Sequence, residues 1–455
     1  MSDYRFTARS MASNPVLLWG AFVLVHLWLG GLNLYGPGLP LGDVSYVYKT
    51  WTDQAIVSHY WVGIDGPFVY PIIAFLPMML ARTFGPEHYS GTWLSLVFVL
   101  DALAFAAIIG WGRRQRHTAI GWWWILFLLL LGPIALGRID SITIPLGIVG
   151  VLLVASRPRV AALLLTVATW IKVWPAAVIA AMLIAAKTRV RMLAPIIVTS
   201  VVIILGSLAL GSGTNVFSFI SQQTTRGLQV EAPVSTIWMW LAAFRIPNTL
   251  VYYDTTMLTW QLKGPGVGTA SSVMTTLLAL AVLALVILAV LAVRAGASSA
   301  ELLAPLALGL VTAFIAFNKV GSPQYVTWLA VPVILGLATR AAGSGRSFRV
   351  PATISLVIAA LTQLIYPYLY GYVLGLDAGM LVVLTVRNLL FFVLLGWAVV
   401  AIVRAARSTA VNHEFASDDW LPEVWPFAQS RSTLTLDAPV HGASVREASV
   451  HDERK

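Results

Sequence analysis

The chain alternates long apolar runs with short polar breaks. A run of about 20 apolar residues crosses a bilayer as a helix. Runs near that length predict spans at 15–33, 91–111, 119–136, 141–156, 192–211, 271–293, 301–317, 323–340, 351–372 and 379–403. The first run is longer than the apolar core of a signal peptide and lacks a small-residue cleavage site, so it reads as a retained helix. Two segments are shorter. The stretch 159–186 is basic at both ends, with Arg157 and Arg159 before it and Lys187, Arg189 and Arg191 after it. It therefore reads as a hairpin of two short helices with Trp170-Ile171-Lys172-Val173-Trp174-Pro175 at its tip. The stretch 68–84 opens at Tyr70-Pro71 and ends at Arg82. It reads as a partly inserted helix, because a full crossing would turn Arg113, Arg114 and Arg116 outward.

This pattern predicts an all-α polytopic membrane protein of about 12 transmembrane helices. The spans occupy 1–407. A polar tail, 408–455, reads as disordered. Lys and Arg gather in short breaks that the positive-inside bias assigns to the cytoplasm, which puts both termini there. The loops 34–67 and 212–270 and the turn 318–322 then face the other side.

Composition sharpens the reading. The chain is 58% hydrophobic and only 11% charged, too little charge to cover a soluble surface. The net charge of +10 is spread over inter-helix loops, which argues against a nucleic-acid partner. With no cysteine, disulfides, thiolate nucleophiles and cysteine metal sites are excluded. Scattered histidines support no metal cluster, and no P-loop or Gly-rich strand-to-helix turn is present.

The acids gather on the outer side: Asp43, Asp53, Asp65, Glu87, Asp140, Glu231, Asp254 and Asp377. Chemistry there has no access to nucleotide sugars or ATP, and a lipid-carried activated donor fits. Asp43, just beyond the first span, is the candidate general base; its position alone also suits a cap on the helix that follows. Lys172, between two tryptophans, either holds a phosphate as a point charge or snorkels to the interface. Arg138 and Asp140 are either a local ion pair or a phosphate contact with its orienting acid. Arg226, Gln229 and Glu231 lie in the large outer loop, as sugar-hydroxyl partners or as solvated polar residues. Lys319, Gln324 and Tyr325 form an unusually polar and aromatic turn. His26 and Asp101 fall inside spans, as a proton relay or an interhelical hydrogen bond.

Three stretches carry a resemblance. They are Asp43-Val44-Ser45-Tyr46-Val47-Tyr48 followed by Tyr70-Pro71, then Ala168 to Pro175 with its Lys-then-Pro tip, and Phe317-Asn318-Lys319-Val320 with Gln324, Tyr325 and Trp328. At these residues the chain resembles the GT-C superfamily of multi-spanning glycosyltransferases. In particular it resembles the bacterial polyprenyl-phosphate-mannose-dependent α-mannosyltransferases of actinobacterial phosphatidylinositol mannoside and lipomannan synthesis, and the catalytic subunit of GPI mannosyltransferase I. Arg226 to Glu231 looks like an outer-loop motif of the bacterial members.

The resemblance implies a GT-C-like bundle in the cell membrane with its active site on the extracytoplasmic face. It implies a polyprenyl-phosphate sugar donor, a glycolipid or lipoglycan acceptor, and inversion with Asp43 as base. Lys172, Arg138 and Lys319 would meet the donor phosphate. Tyr46, Tyr48, Arg226, Gln229, Glu231, Gln324 and Tyr325 would contact substrate. Ser45 stands where the GPI enzyme has a second acid, so neither a metal nor any other cofactor is expected. Where some bacterial relatives place a His near the third stretch, this chain has Gln324 and Tyr325. Arabinose from decaprenyl-phosphate-arabinose is the alternative sugar. A secondary transporter or lipid flippase is the competing class, and it would expect inverted repeats with ionisable residues at the midplane.

Overall fold

The computed structural model describes residues 14–112, 117–224 and 226–407. The basic turn of Arg113, Arg114 and Arg116 and the tail 408–455 lie outside the described residues. Among the described residues seven helices are long and apolar enough to span a bilayer, and four shorter apolar ones sit between them in sequence. This is an all-α polytopic membrane protein.

In chain order the helices begin with α1 (Pro15–Tyr35), α2 (Lys49–Val57), α3 (Phe75–Leu80) and α4 (Tyr89–Ile109). The short series follows: α5 (Thr118–Leu131), α6 (Asp140–Leu152), α7 (Pro158–Ile171) and α8 (Pro175–Ala185). Next come α9 (Arg189–Ala209), α10 (Ser218–Thr224) and α11 (Thr236–Ala243), then strands β1 (Leu250–Asp254) and β2 (Thr259–Lys263). The last helices are α12 (Val267–Arg294), α13 (Ser299–Ala316), α14 (Ala330–Ala341), α15 (Arg349–Gln363) and α17 (Ala378–Arg407), with the short α16 (Tyr370–Leu374) before the last.

Burial sorts the spans into two kinds. α13 is apolar all round and nearly wholly buried, as a helix enclosed by others must be. It packs on α17, α8, α12 and α14. α6 is equally enclosed, between α4, α7 and α14. α9 and α12 leave most of their apolar surface exposed, which suits lipid contact. Small residues allow close approach where helices cross: a Cβ on Gly147 of α6 would meet Val331 of α14 at 3.0 Å.

Several boundaries differ from the sequence reading. α5 stops at Leu131 rather than running to 136, because Gly132 takes a positive φ of 77° and Pro133 follows. The expected span 323–340 begins as a tighter 3-10 turn over Pro323–Leu329. The expected span 351–372 breaks at Leu364–Tyr368, where Tyr366 is extended. Within the segment 68–84, α3 has only six residues, too short to cross. The loop 212–270 carries structure the pattern did not predict: two short helices and an antiparallel hairpin pairing Tyr253 with Trp260 and Tyr252 with Gln261. Its strands are rich in aromatic and β-branched residues, which fit a pleated half-buried surface. Inside the bundle, His26 Nε2 and Asp101 Oδ2 lie 3.2 Å apart, and His26 Nδ1 donates to the Phe22 carbonyl. These two intramembrane ionisable groups satisfy each other.

Candidate functional site

The turn after α1 delivers Asp43. Gly38 has a φ of 82°, and a Cβ there would come within 2.6 Å of Pro367, so only glycine lets this turn lie against the break between α15 and α16. Asp43 then opens a π-helical turn, Asp43–Tyr48, continuous with α2. Such wide turns recur at functional sites. The start of this helix has no side-chain cap, so the capping role is not realised. The Asp43 carboxylate instead faces Arg138, with Oδ2 3.1 Å from Nε and the acid side chain 38% exposed.

Arg138 sits in the turn between α5 and α6 and is buried. Its Nη1 donates to the carbonyls of Pro40 and Gly137 at 2.5 and 2.8 Å, and its Nη2 to the Tyr366 hydroxyl at 3.1 Å. One guanidinium thus ties three separate turns to Asp43. Burial works against its charge, but Asp43, helped by Tyr366 and Tyr48, outweighs burial and holds the pKa above the ordinary arginine value.

The second pole is built on Lys172 and Asp140. α7 ends at Ile171, Lys172 is extended, and Pro175 starts α8. Lys172 Nζ lies 3.7 Å from Asp140 Oδ2, 4.5 Å from the ring centre of Tyr70 and 5.7 Å from that of Tyr325. Burial works to discharge this amine. The Asp140 carboxylate and the two tyrosines outweigh it, so the pKa stands above the usual lysine range.

Asp140, the first residue of α6, is wholly buried. Its Oδ1 accepts from Trp328 Nε1 at 2.6 Å, while Oδ2 has no hydrogen-bond donor. Arg138 and Asp140 are therefore not a local pair; each belongs to a different pole. Nor do Trp170 and Trp174 form an interfacial belt around the lysine. Trp174 stacks on Trp328 and donates to Thr143, and Trp328 stacks on Tyr325. Trp170 donates to Ser200 on α9.

Tyr48 joins the poles. Its hydroxyl accepts from the Ile139 N–H at 3.2 Å and meets the Tyr70 hydroxyl at 3.4 Å. Ile139 is the residue between Arg138 and Asp140. Burial pushes the Tyr48 phenol well above its ordinary value, reinforced by Tyr70 and Asp43, so it stays a neutral donor.

The outer-loop segment 226–231 is not a solvated loop. Leu228, Gln229, Val230 and Glu231 are all buried. Leu228 and Gln229 run beside β2, with Leu262 N–H bonded to the Leu228 carbonyl at 2.9 Å. Gln229 N–H donates to the Lys319 carbonyl at 3.0 Å, joining this segment to the turn 318–322. Gly321 makes that contact possible, since a Cβ would sit 2.0 Å from Ala232 N. Glu231 Oε2 takes a 2.8 Å hydrogen bond from Arg387 Nη1. Lys319 lies at the same turn, and partial burial lowers its pKa. Gln324 is buried and bonded to the Ser322 hydroxyl.

Asp43, Tyr48, Arg138, Lys172 and Tyr325 thus come together, with Arg226 close enough to act electrostatically on Lys172 and Tyr325. Tyr46 is 65% exposed. Sequence reasoning did not name Tyr70 and Trp328 as site residues, although both stand in the resembling stretches. It also passed over Tyr366, whose signal is a Tyr-Pro-Tyr break in an apolar run, and gave no role to Arg387, a lone arginine in a span. Among the described residues no group of three His, Cys, Asp or Glu could hold a metal ion.

The cluster offers a half-exposed carboxylate beside a cage of tyrosines and buried cations. Such a set can take a proton from a hydroxyl and stabilise a leaving anion. Residues 68–244 match the family model of glycosyltransferase family 87. Comparison with curated proteins and with solved structures gives no match. The matched stretch contains Arg138, Asp140, Lys172, Arg226 and Glu231. Together with the apolar helices it supports a membrane glycosyltransferase.

Proposed function

We propose that the chain is an inverting GT-C-type α-mannosyltransferase that moves mannose from a polyprenyl-phosphate donor to a glycolipid or lipoglycan acceptor. The reaction takes place at the outer face of the cell membrane. The observation that carries this reading is the pairing of the accessible Asp43 carboxylate with the charged, tyrosine-caged Lys172 across the Tyr48–Tyr70 contact. An acid and a buried cation set apart in this way suit a hydroxyl on one side of the anomeric carbon and a phosphate on the other.

In this reaction the acceptor oxygen bonds to C1 from the face opposite the phosphate, and its proton passes to Asp43. The C1–O bond to phosphate breaks, and polyprenyl phosphate leaves with one additional negative charge. Lys172, with Arg138 and Lys319, meets that charge. A buried cation is worth far more there than in water. Tyr46, Tyr48, Gln229, Glu231, Gln324 and Tyr325 complete the substrate contacts, with Tyr46 at the exposed mouth. No metal is required: Ser45, where a second acid would stand, has its hydroxyl 3.0 Å from that of Ser90.

The test is transfer by purified protein in nanodiscs, with polyprenyl-phosphate-[³H]mannose and decaprenyl-phosphate-[¹⁴C]arabinose offered separately against a membrane glycolipid extract. Labelled mannolipid formed by the native protein, and not by Asp43→Asn, is the expected result. Arabinose transfer alone changes the sugar. Movement of labelled lipid across a liposome without transfer replaces the reading with a transporter.

A further inference from the structure

Each carboxylate around the site is matched to one cation: Asp43 to Arg138, Asp140 to Lys172, and Glu231 to Arg387. Arg226 is left over. Among the described residues it has no carboxylate partner, and its Nε is buried without a hydrogen-bond acceptor. A buried charged donor left without an acceptor is costly, so this one points to an anionic ligand.

Arg226 is held where it is by its neighbours. It precedes Gly227, where a Cβ would lie 2.0 Å from Gln261 Oε1, so the backbone passes flush against β2. Five residues on, Glu231 is fixed from inside the membrane bundle. Arg387 of α17 donates Nη1 to Glu231 Oε2 at 2.8 Å and Nη2 to the Glu231 carbonyl at 2.9 Å. Asn388 Oδ1 accepts from Arg387 Nε and Nη2, and Asn388 Nδ2 donates to Thr236 at 2.7 Å. The bidentate grip on both side chain and backbone fixes direction as well as distance. A lone arginine in a span that grips an outside loop through both side chain and backbone marks a functional device.

We infer that Arg226 is the second cation of the Lys172 anion site, and that Arg387, acting through Glu231, is the positioning residue that aims it. The inference rests on the polyprenyl-phosphate reading and extends it. Arg226 then joins Lys172 at the phosphate, beside Arg138 and Lys319.

The experiment measures equilibrium binding of tritiated decaprenyl phosphate to the full chain in nanodiscs. Arg226→Gln weakens binding on the order of tenfold, the loss of one charge-assisted hydrogen bond. Arg387→Met weakens it similarly, and the double variant binds no worse than Arg226→Gln alone, because both act through one contact. If Arg387→Met does not insert, Arg387→Lys replaces it in the same cycle, since lysine keeps the charge but loses the fork. Unchanged binding in Arg226→Gln, or additive losses in the cycle, overturns the inference. Failure of the native protein to bind decaprenyl phosphate instead removes the donor reading beneath it.

Discussion

Asp43 and Arg138 form one ion pair across two distant turns of the chain, with 3.1 Å between Oδ2 and Nε. The arginine is anchored by three further acceptors, so the carboxylate inherits a fixed direction. Asp43→Asn keeps the shape and removes the base. Turnover falls by about 10²-fold or more, while the protein stays folded and inserted. Near-normal turnover in the purified variant removes Asp43 from the mechanism.

What could be read from the chain follows from range. Apolar runs are local, and α1, α4, α9, α12 and α17 stand close to where the pattern put them. Helix ends at Gly132 and at the 366–368 break depend on two or three residues, and the run of apolar side chains hides them. The hairpin 250–263 was missed because strand pairing is a relation between segments and its signal is short. The site shows the same limit. Asp43, Lys172 and Tyr325 stand out by residue type, but Arg138 and Asp140 invite a local pairing that the entry into α6 undoes. Their real partners lie far away in sequence.

Lys172 does two things that separate by mutation. Lys172→Met raises the apparent donor KM and also strands the buried Asp140 charge, at about 3 kcal/mol. Adding Asp140→Asn removes the stranded charge, so thermal stability recovers while donor use does not. Recovery of both would leave Lys172 a purely structural cation.

Lys319 gives the pH test. Burial lowers its pKa, so it loses its proton, and its hold on a phosphate, at a lower pH than an ordinary lysine. Donor affinity then declines early on the alkaline side, and Lys319→Arg, which stays charged, extends the plateau upward. Identical alkaline limbs in the two proteins would take Lys319 out of the site.

Excess EDTA leaves most activity intact, because Ser45 replaces a second acid beside Asp43. Complete loss of transfer, restored by Mn²⁺ or Mg²⁺, would reveal a metal site built from other acids.

Sidedness is open to direct labelling, since the chain has no cysteine of its own. Thr50→Cys, Thr255→Cys and Ser322→Cys react with a membrane-impermeant maleimide in intact spheroplasts, whereas Ser156→Cys reacts only after permeabilisation. The opposite pattern would put Asp43 in the cytoplasm and undo the case for a lipid-carried donor.

The short helices α5 to α8 carry one more consequence. With 11 to 14 residues each, they measure about 16–21 Å, well under the ~30 Å of a hydrocarbon core. On the proposed function, helices this short would place Lys172 and Asp140, at their ends, below the level of the surrounding headgroups of the outer leaflet. A prenyl phosphate can reach that depth without being lifted out of the lipid. The partner that travels farthest is the acceptor, which has to lower its hydroxyl into the bilayer to react. On that reading the protein would bring the aqueous reagent down to the oily one.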